Sequence, residues 1–262
     1  MDKKIQAVLL AGGLGTRIRE ETTNRPKPMI EIGGKPILWH LMKSLSAQGI
    51  NRFVICAGYK AEVIADYFAN YLVRNNDFTV KLNGESEILI HSQSEELNWE
   101  VTVAYTGESE VGTGGRVNRI KKYIDTYPFL CTYGDGLSDV NIRALTEFHD
   151  SHGQVCTLTT INATNRFGVV ELVGNRVGSF REKPKVDGWI NGGFFLFEKE
   201  IWDYLDDFCT LEAEPLQKLS RQKRVFAFQH IGFWQAMDTY REYEMLTELW
   251  QQGNAPWKVW EK

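Results

Sequence analysis

Apolar and polar positions along this chain switch between two rhythms. Residues 5–10 form a short apolar run that ends at Gly12 and Gly13, the pattern of a buried strand feeding a loop. From 37 to 48 the apolar positions Ile37, Leu38, Leu41, Met42 and Leu45 recur at helical spacing, and Gly49 stops the helix. Residues 52–58 (RFVICAG) read as a second buried strand and 62–72 as a second amphipathic helix. Strand and helix in this alternation predict a parallel sheet with right-handed crossovers.

The rhythm changes between about 78 and 106. FTVKL, EILIHS and VTVAYT alternate as antiparallel strands do, with Asn83-Gly84 as a turn between the first two. Helix 115–125, strand 129–133 and helix 141–152 then resume the earlier order. Beyond Val155, strands at 156–161, 168–173 and 190–197 mix with short helices, Gly174-Asn175 marks a turn, and a last helix at 240–252 precedes APWKVWEK. The expected fold is α/β: a doubly wound, mostly parallel mixed sheet flanked by helices, with inserted β-hairpins. With no linker and no repeat, one domain over 1–262 is expected, a glycine-rich half at about 1–150 and a second half at about 151–262.

Composition narrows the partners. The chain has 262 residues, 43% hydrophobic and 24% charged, which excludes a disordered or collagen-like polymer. A net charge of −4 argues against a nucleic-acid partner. AVLLAGGLG is far below the ~20 residues of a membrane helix, so no membrane partner is expected. Cys56, Cys131, Cys156 and Cys209 contain no CxxC pair, so a zinc site or disulfide framework is not indicated, and reduced thiols in a cytoplasmic protein are expected.

The segment VLLAGGLGTRIREETTNRPKPM carries the sharpest chemistry. Gly12, Gly13 and Gly15 let backbone amides approach an anion without Cβ obstruction. Thr16 adds a hydroxyl, Arg17 a planar guanidinium and Lys27 a mobile ammonium, the parts needed to hold a triphosphate. Two common phosphate loops fail. Gly34-Lys35 is followed by Pro36 and lacks the upstream glycine of a Walker A loop, and Ile18 stands where a dinucleotide fingerprint needs its third glycine. Asp135, between Gly134 and Gly136 after a buried strand, is either an Asx-turn or a carboxylate aimed into a ligand crevice. Asp139 reads as the cap of helix 141–152. Asp238 stands before the last helix, as a cap, a ligand or both. Among the histidines, His40 on its apolar helix reads as a core residue, and His149 and His152 as surface or cap positions.

GG-x-G-T-R followed by P-K-P resembles the signature of the sugar-1-phosphate nucleotidylyltransferases. The order LAGGLGTR, PKPMIEIGGKPILWH, TGGR, TYGDG, NGGFF, GFW-x-x-MDT and APWK extends the resemblance over the whole chain. It implies nucleotide contacts at Leu10, Ala11, Gly12, Gly13, Leu14, Gly15, Thr16, Thr113, Arg116 and Gly134, with Arg17 and Lys27 at the reacting centre. It implies Mg²⁺ on Asp135 and Asp238, and a sugar-phosphate half-site at Gly168, Glu182, Lys183 and Asn191. Within the family it is similar to members that use CTP and glucose 1-phosphate and form homo-oligomers. A UTP- or dTTP-using enzyme is the alternative, and a non-catalytic nucleotide-sugar sensor a further one.

Overall fold

The computed structural model describes residues 5–15, 18, 22, 24–82, 87–91, 98–108, 110–162, 169–173, 175–181 and 188–261. Its centre is a seven-stranded sheet built from β1 (Gln6–Ala11), β2 (Arg52–Ala57), β3 (Glu100–Tyr105), β4 (Phe129–Tyr133), β5 (Cys156–Ile161), β6 (Ile190–Phe197) and β7 (Val225–His230). They lie in the order β7-β5-β6-β4-β1-β2-β3. All neighbouring pairs are parallel except those of β6, which runs against β4 and β5.

Both faces of the sheet are covered, which is why β1 reads as a continuous apolar run. Ala7, Leu9 and Ala11 face a layer with Ile37, Leu38 and Leu41 of helix α1 (Ile37–Ser46). Val8 and Leu10 face the other layer, with Val117 of α2 (Thr113–Arg119) and Leu219 of α3 (Glu214–Arg221). After β3, at one edge, the chain returns to the far side of β1 and forms β4. The carboxyl ends of β1 and β4 therefore flank the reversal of strand order, where α/β sheets open a ligand crevice.

Several expectations shift. Residues 101–105 belong to β3, a parallel edge strand paired with β2, and not to the antiparallel insertion. The insertion is a two-stranded ribbon of Phe78–Lys81 with Glu87–Ile90. The expected helix at 62–72 divides at Asn70 into Ala61–Ala69 and Tyr71–Asn75. Helix α4 (Ile142–His152) is capped by Asn141, whose side chain accepts from the Ala144 amide at 2.9 Å. Asp139 instead accepts from the Phe233 amide at 2.7 Å. His149 is buried, with Nδ1 2.7 Å from Thr157 Oγ1, so it is an interior polar contact rather than a surface residue.

His40 is a core residue, fully enclosed, with Nε2 2.8 Å from the Ile32 carbonyl. The C-terminal tryptophans pack around it, and the Trp257 indole N–H donates to His40 Nδ1 at 3.4 Å. Cys56, Cys131 and Cys156 are free buried thiols, and burial pushes Cys56 up to about 12. Among the described residues no helix is long and apolar enough to cross a membrane.

Candidate active site

A cavity of about 500 Å³ opens at the carboxyl ends of β1 and β4. Its floor includes Leu10 through Gly15, and the Gly134 amide donates to the Leu10 carbonyl at 2.9 Å, stitching the two strand ends together. Gly12 has a steric reason to be glycine: a Cβ there would stand 2.1 Å from the Arg116 guanidinium. Gly13 has nothing within 4 Å of such a Cβ, so its backbone is open to the cavity side.

Lys27 opens a single 3₁₀ turn, Lys27–Met29, with a proline on each side. Its ammonium is buried and donates to Asp135 Oδ2 at 2.5 Å and to Asp238 Oδ1 at 2.6 Å. Burial alone would lower the pKa of the lysine. The charges and hydrogen bonds of Asp135 and Asp238 outweigh it and hold the group above the ordinary lysine range.

The two aspartates are 103 positions apart in sequence, and a small ribbon brings them together. Asp135 follows β4, and Gly136–Ser138 then pairs antiparallel with Trp234–Ala236, Ala236 opposite Gly136. The next amide, Met237, donates to the Asp135 carbonyl at 2.9 Å, so Asp238 emerges beside Asp135. Helix α5 (Tyr240–Gln251) begins there. Its cap is Thr239, in a reciprocal pair with Glu242, so the Asp238 side chain is not the cap and faces Lys27.

Among the described residues no group of three or more histidine, cysteine or acidic side chains could hold a metal. The two carboxylates do converge on one position, which the Lys27 ammonium fills. Hard oxygen donors of this number suit a divalent cation that takes its other ligands from phosphate and water. The residues present therefore fit such an ion.

The remaining predicted positions divide into three groups. Thr113 and Arg116 both line the cavity. Arg116, however, turns inward as a prop beneath the glycine loop: Nη1 donates to Thr106 Oγ1 at 2.9 Å and to the Gly107 carbonyl at 2.7 Å, and Nη2 to the Glu108 carbonyl at 2.6 Å. Asn191 reaches the same edge of the sheet because β6 is reversed, and its Nδ2 donates to Tyr133 Oη at 3.2 Å. Thr16, Arg17, Gly168, Glu182 and Lys183 lie outside the described residues.

Sequence reasoning missed Tyr133 and Glu212. Tyr133 lines the cavity and its hydroxyl is bonded to Glu212 Oε1. Thr113 Oγ1 donates to Glu212 Oε2 at 2.5 Å and accepts from the Leu211 amide at 2.9 Å. Burial first, and then the Glu212 carboxylate, push the Tyr133 phenol well above its usual range. The only local signal was the position of Tyr133 just before Gly134-Asp135. TLEAEP offers none for Glu212, whose role depends on distant partners.

Comparison with known proteins follows the same lines. The nucleotidyl transferase family profile matches residues 6–235. The chain is 50% identical over 260 residues to a glucose-1-phosphate cytidylyltransferase of Salmonella typhi, covering 98% of this chain and all of that one. It is 40% identical to a probable glucose-1-phosphate cytidylyltransferase of Bacillus subtilis, again over 98% of this chain and all of the relative. Among solved structures, HddC from Yersinia pseudotuberculosis superposes with a TM-score of 0.66 at 26% identity, covering 94% of this chain and 99% of that one.

Proposed function

The chain belongs to the nucleotidyl transferase family, and from that premise we propose that it transfers the cytidylyl group of CTP to α-D-glucose 1-phosphate, releasing pyrophosphate and forming CDP-glucose. Full-length similarity to glucose-1-phosphate cytidylyltransferases supports the substrates. The single structural observation behind the chemistry is the Lys27 ammonium held between Asp135 and Asp238 at the mouth of the glycine loop.

The reaction needs no side-chain nucleophile, because the phosphate of glucose 1-phosphate is already an anion and attacks the α-phosphorus of CTP in line. The chain's task is to align two polyanions and neutralise their charge. The open amide face at Gly13, with Leu10, Ala11, Gly12, Leu14, Gly15, Thr16 and Gly134 around it, holds the nucleotide phosphates. Arg17 and Lys27 supply positive charge at the reacting centre. Gly168, Glu182, Lys183 and Asn191 take the sugar phosphate, so the glycine-loop contacts fall in the half at about 1–150 and the sugar-phosphate contacts in the half at about 151–262. A divalent cation, assigned here as Mg²⁺, would be held by Asp135 and Asp238 and would supply charge neutralisation on the phosphate oxygens.

Three free buried thiols support a reducing, cytoplasmic setting. A homo-oligomer belongs to the same reading and is tested by light scattering on the purified protein. The decisive assay is pyrophosphate release with Mg²⁺ and glucose 1-phosphate across CTP, UTP, dTTP, ATP and GTP. Release with CTP alone is expected; release with another nucleotide in its place overturns the base assignment.

A further inference from the structure

Strand β6 breaks its pairing just before the cavity edge. Leu158 of β5 lies opposite Phe195, but the next partners in register are Thr160 and Asn191, so Thr159 alone stands against Gly192, Gly193 and Phe194. Pairing with β4 likewise stops at Phe195 opposite Cys131. The result is a bulge with two extra residues, which leaves the alternation of faces intact because side chains repeat at every second position.

This bulge is strained. Gly193 has φ +76° and the buried Phe194 φ +41°, a left-handed backbone that a bulky residue keeps only where its surroundings impose it. Gly193 also passes close to the Tyr133 ring, and a Cβ there would stand 2.9 Å from Cδ2. Neighbouring side chains hold the backbone in place. Thr159 Oγ1 donates to the Phe194 carbonyl at 2.9 Å, and the Phe194 amide donates to Thr132 Oγ1 at 3.4 Å. The Trp234 indole N–H donates to the Gly192 carbonyl at 2.7 Å. Trp234 belongs to the ribbon that carries Asp238, opposite Ser138, so its anchor is set independently of β6.

These bonds converge on Asn191. Its side chain is exposed, yet the carboxamide is held at both ends: Oδ1 accepts from the Gly193 amide at 2.8 Å, and Nδ2 donates at 3.2 Å to the hydroxyl of Tyr133, which lines the cavity. Among the described residues that leaves one N–H and one lone pair for a ligand. We propose that Trp234 and Thr159 are positioning residues for the sugar-phosphate half-site: clamping the bulge from the ribbon and from β5, they set the Asn191 carboxamide before the ligand arrives. This rests on the proposed transfer to glucose 1-phosphate and deepens it. A side chain ordered in advance spares the ligand the entropy of ordering it.

The test is steady-state kinetics with CTP and glucose 1-phosphate in the wild type, Trp234→Phe, Thr159→Val and Thr159→Ser. Trp234→Phe removes the indole N–H and keeps an aromatic ring. Thr159→Val removes the hydroxyl and keeps the branched shape, whereas Thr159→Ser keeps the hydroxyl. The KM for glucose 1-phosphate is expected to rise about 3- to 10-fold in Trp234→Phe and Thr159→Val. The KM for CTP should stay within about twofold of wild type, and Thr159→Ser should match the wild type in both. Loss of folded enzyme alone would lower kcat and leave both KM values in place. If Trp234→Phe does not fold, the Val and Ser variants at position 159 decide. An unchanged KM for glucose 1-phosphate, equal rises for both substrates, or a Thr159→Ser variant as impaired as Thr159→Val overturns the positioning role. A wild type that releases no pyrophosphate from CTP and glucose 1-phosphate overturns the functional reading and this one with it. An active wild type beside variants without the split overturns only the role of Trp234 and Thr159.

Discussion

The amide of Met237 donates to the carbonyl of Asp135 at 2.9 Å, and this one backbone bond sets the carboxylates of Asp135 and Asp238 on either side of Lys27. The pair is fixed by main chain, not by the lysine alone. Removing the ammonium should therefore leave the carboxylates facing each other.

Lys27→Ala is expected to lower kcat/KM for pyrophosphate release by at least ~10², since charge at the reacting centre acts mainly in the transition state. Turnover near the wild-type rate would remove Lys27 from the mechanism.

The same variant should lose about 1–3 kcal/mol in urea unfolding, because two partly buried carboxylates lose their shared counter-charge. Added Mg²⁺ should restore more stability to Lys27→Ala than it adds to the wild type. Equal shifts in both proteins would mean that the carboxylates do not take a cation together. In the wild type the folded pKa of Lys27 lies above its unfolded value, so the stabilisation is complete below the unfolded value of 10.5 and fades only as pH rises through the folded one.

Acid should loosen the C-terminal segment. Burial lowers His40 from 6.5 to about 4. Between those values the unfolded chain binds a proton that the folded chain refuses, so stability falls as pH drops from 6.5 toward 4, by up to about 3 kcal/mol at ~1.4 kcal/mol per unit. Protonation would also place a hydrogen on Nδ1, where Trp257 already donates. His40→Gln should flatten this part of the pH–stability curve, measured by tryptophan fluorescence in urea. An undiminished slope in that variant would assign the acid sensitivity elsewhere.

Two neighbouring glycines should respond differently. Gly12→Ala drives a methyl into the Arg116 guanidinium, which is tied to three acceptors and cannot step aside, so a loss of about 1–3 kcal/mol is expected. Gly13→Ala meets no atom within 4 Å and should stay within ~0.5 kcal/mol of wild type, while weakening CTP binding if phosphates lie against that amide. Thermal melts and CTP titration separate the two effects, and comparable destabilisation by both would refute the steric account.

What the sequence made legible was what local pattern determines. β1, α1 and the glycine loop were readable because apolar period and glycine position are sufficient to specify them. Lys27, Asp135 and Asp238 were singled out by motif, but the ribbon that joins the aspartates depends on pairing between segments about a hundred residues apart. The cap of α4 fell to Asn141 because Asp139 is drawn to the Phe233 amide, a competition no local window contains. β3 alternates polar and apolar residues as a hairpin strand would, since an edge strand is half covered whichever way it pairs. Glu212 was invisible for a related reason: its chemistry is lent by Thr113 and Tyr133, and both are distant in the chain.

The reversal of β6 has an evolutionary consequence. Six strands deliver their last residues to the reactive edge, whereas β6 delivers its first, so Asn191 arrives there without a turn of its own. With Asn191 taking the sugar phosphate as proposed, acceptor-side recognition falls on a different strand from the donor-side loop. A lineage can exchange the residues leading into β6 and try new sugars while the glycine loop, Lys27 and the aspartate ribbon stay untouched. One inverted strand separates what the enzyme modifies from how it activates the nucleotide.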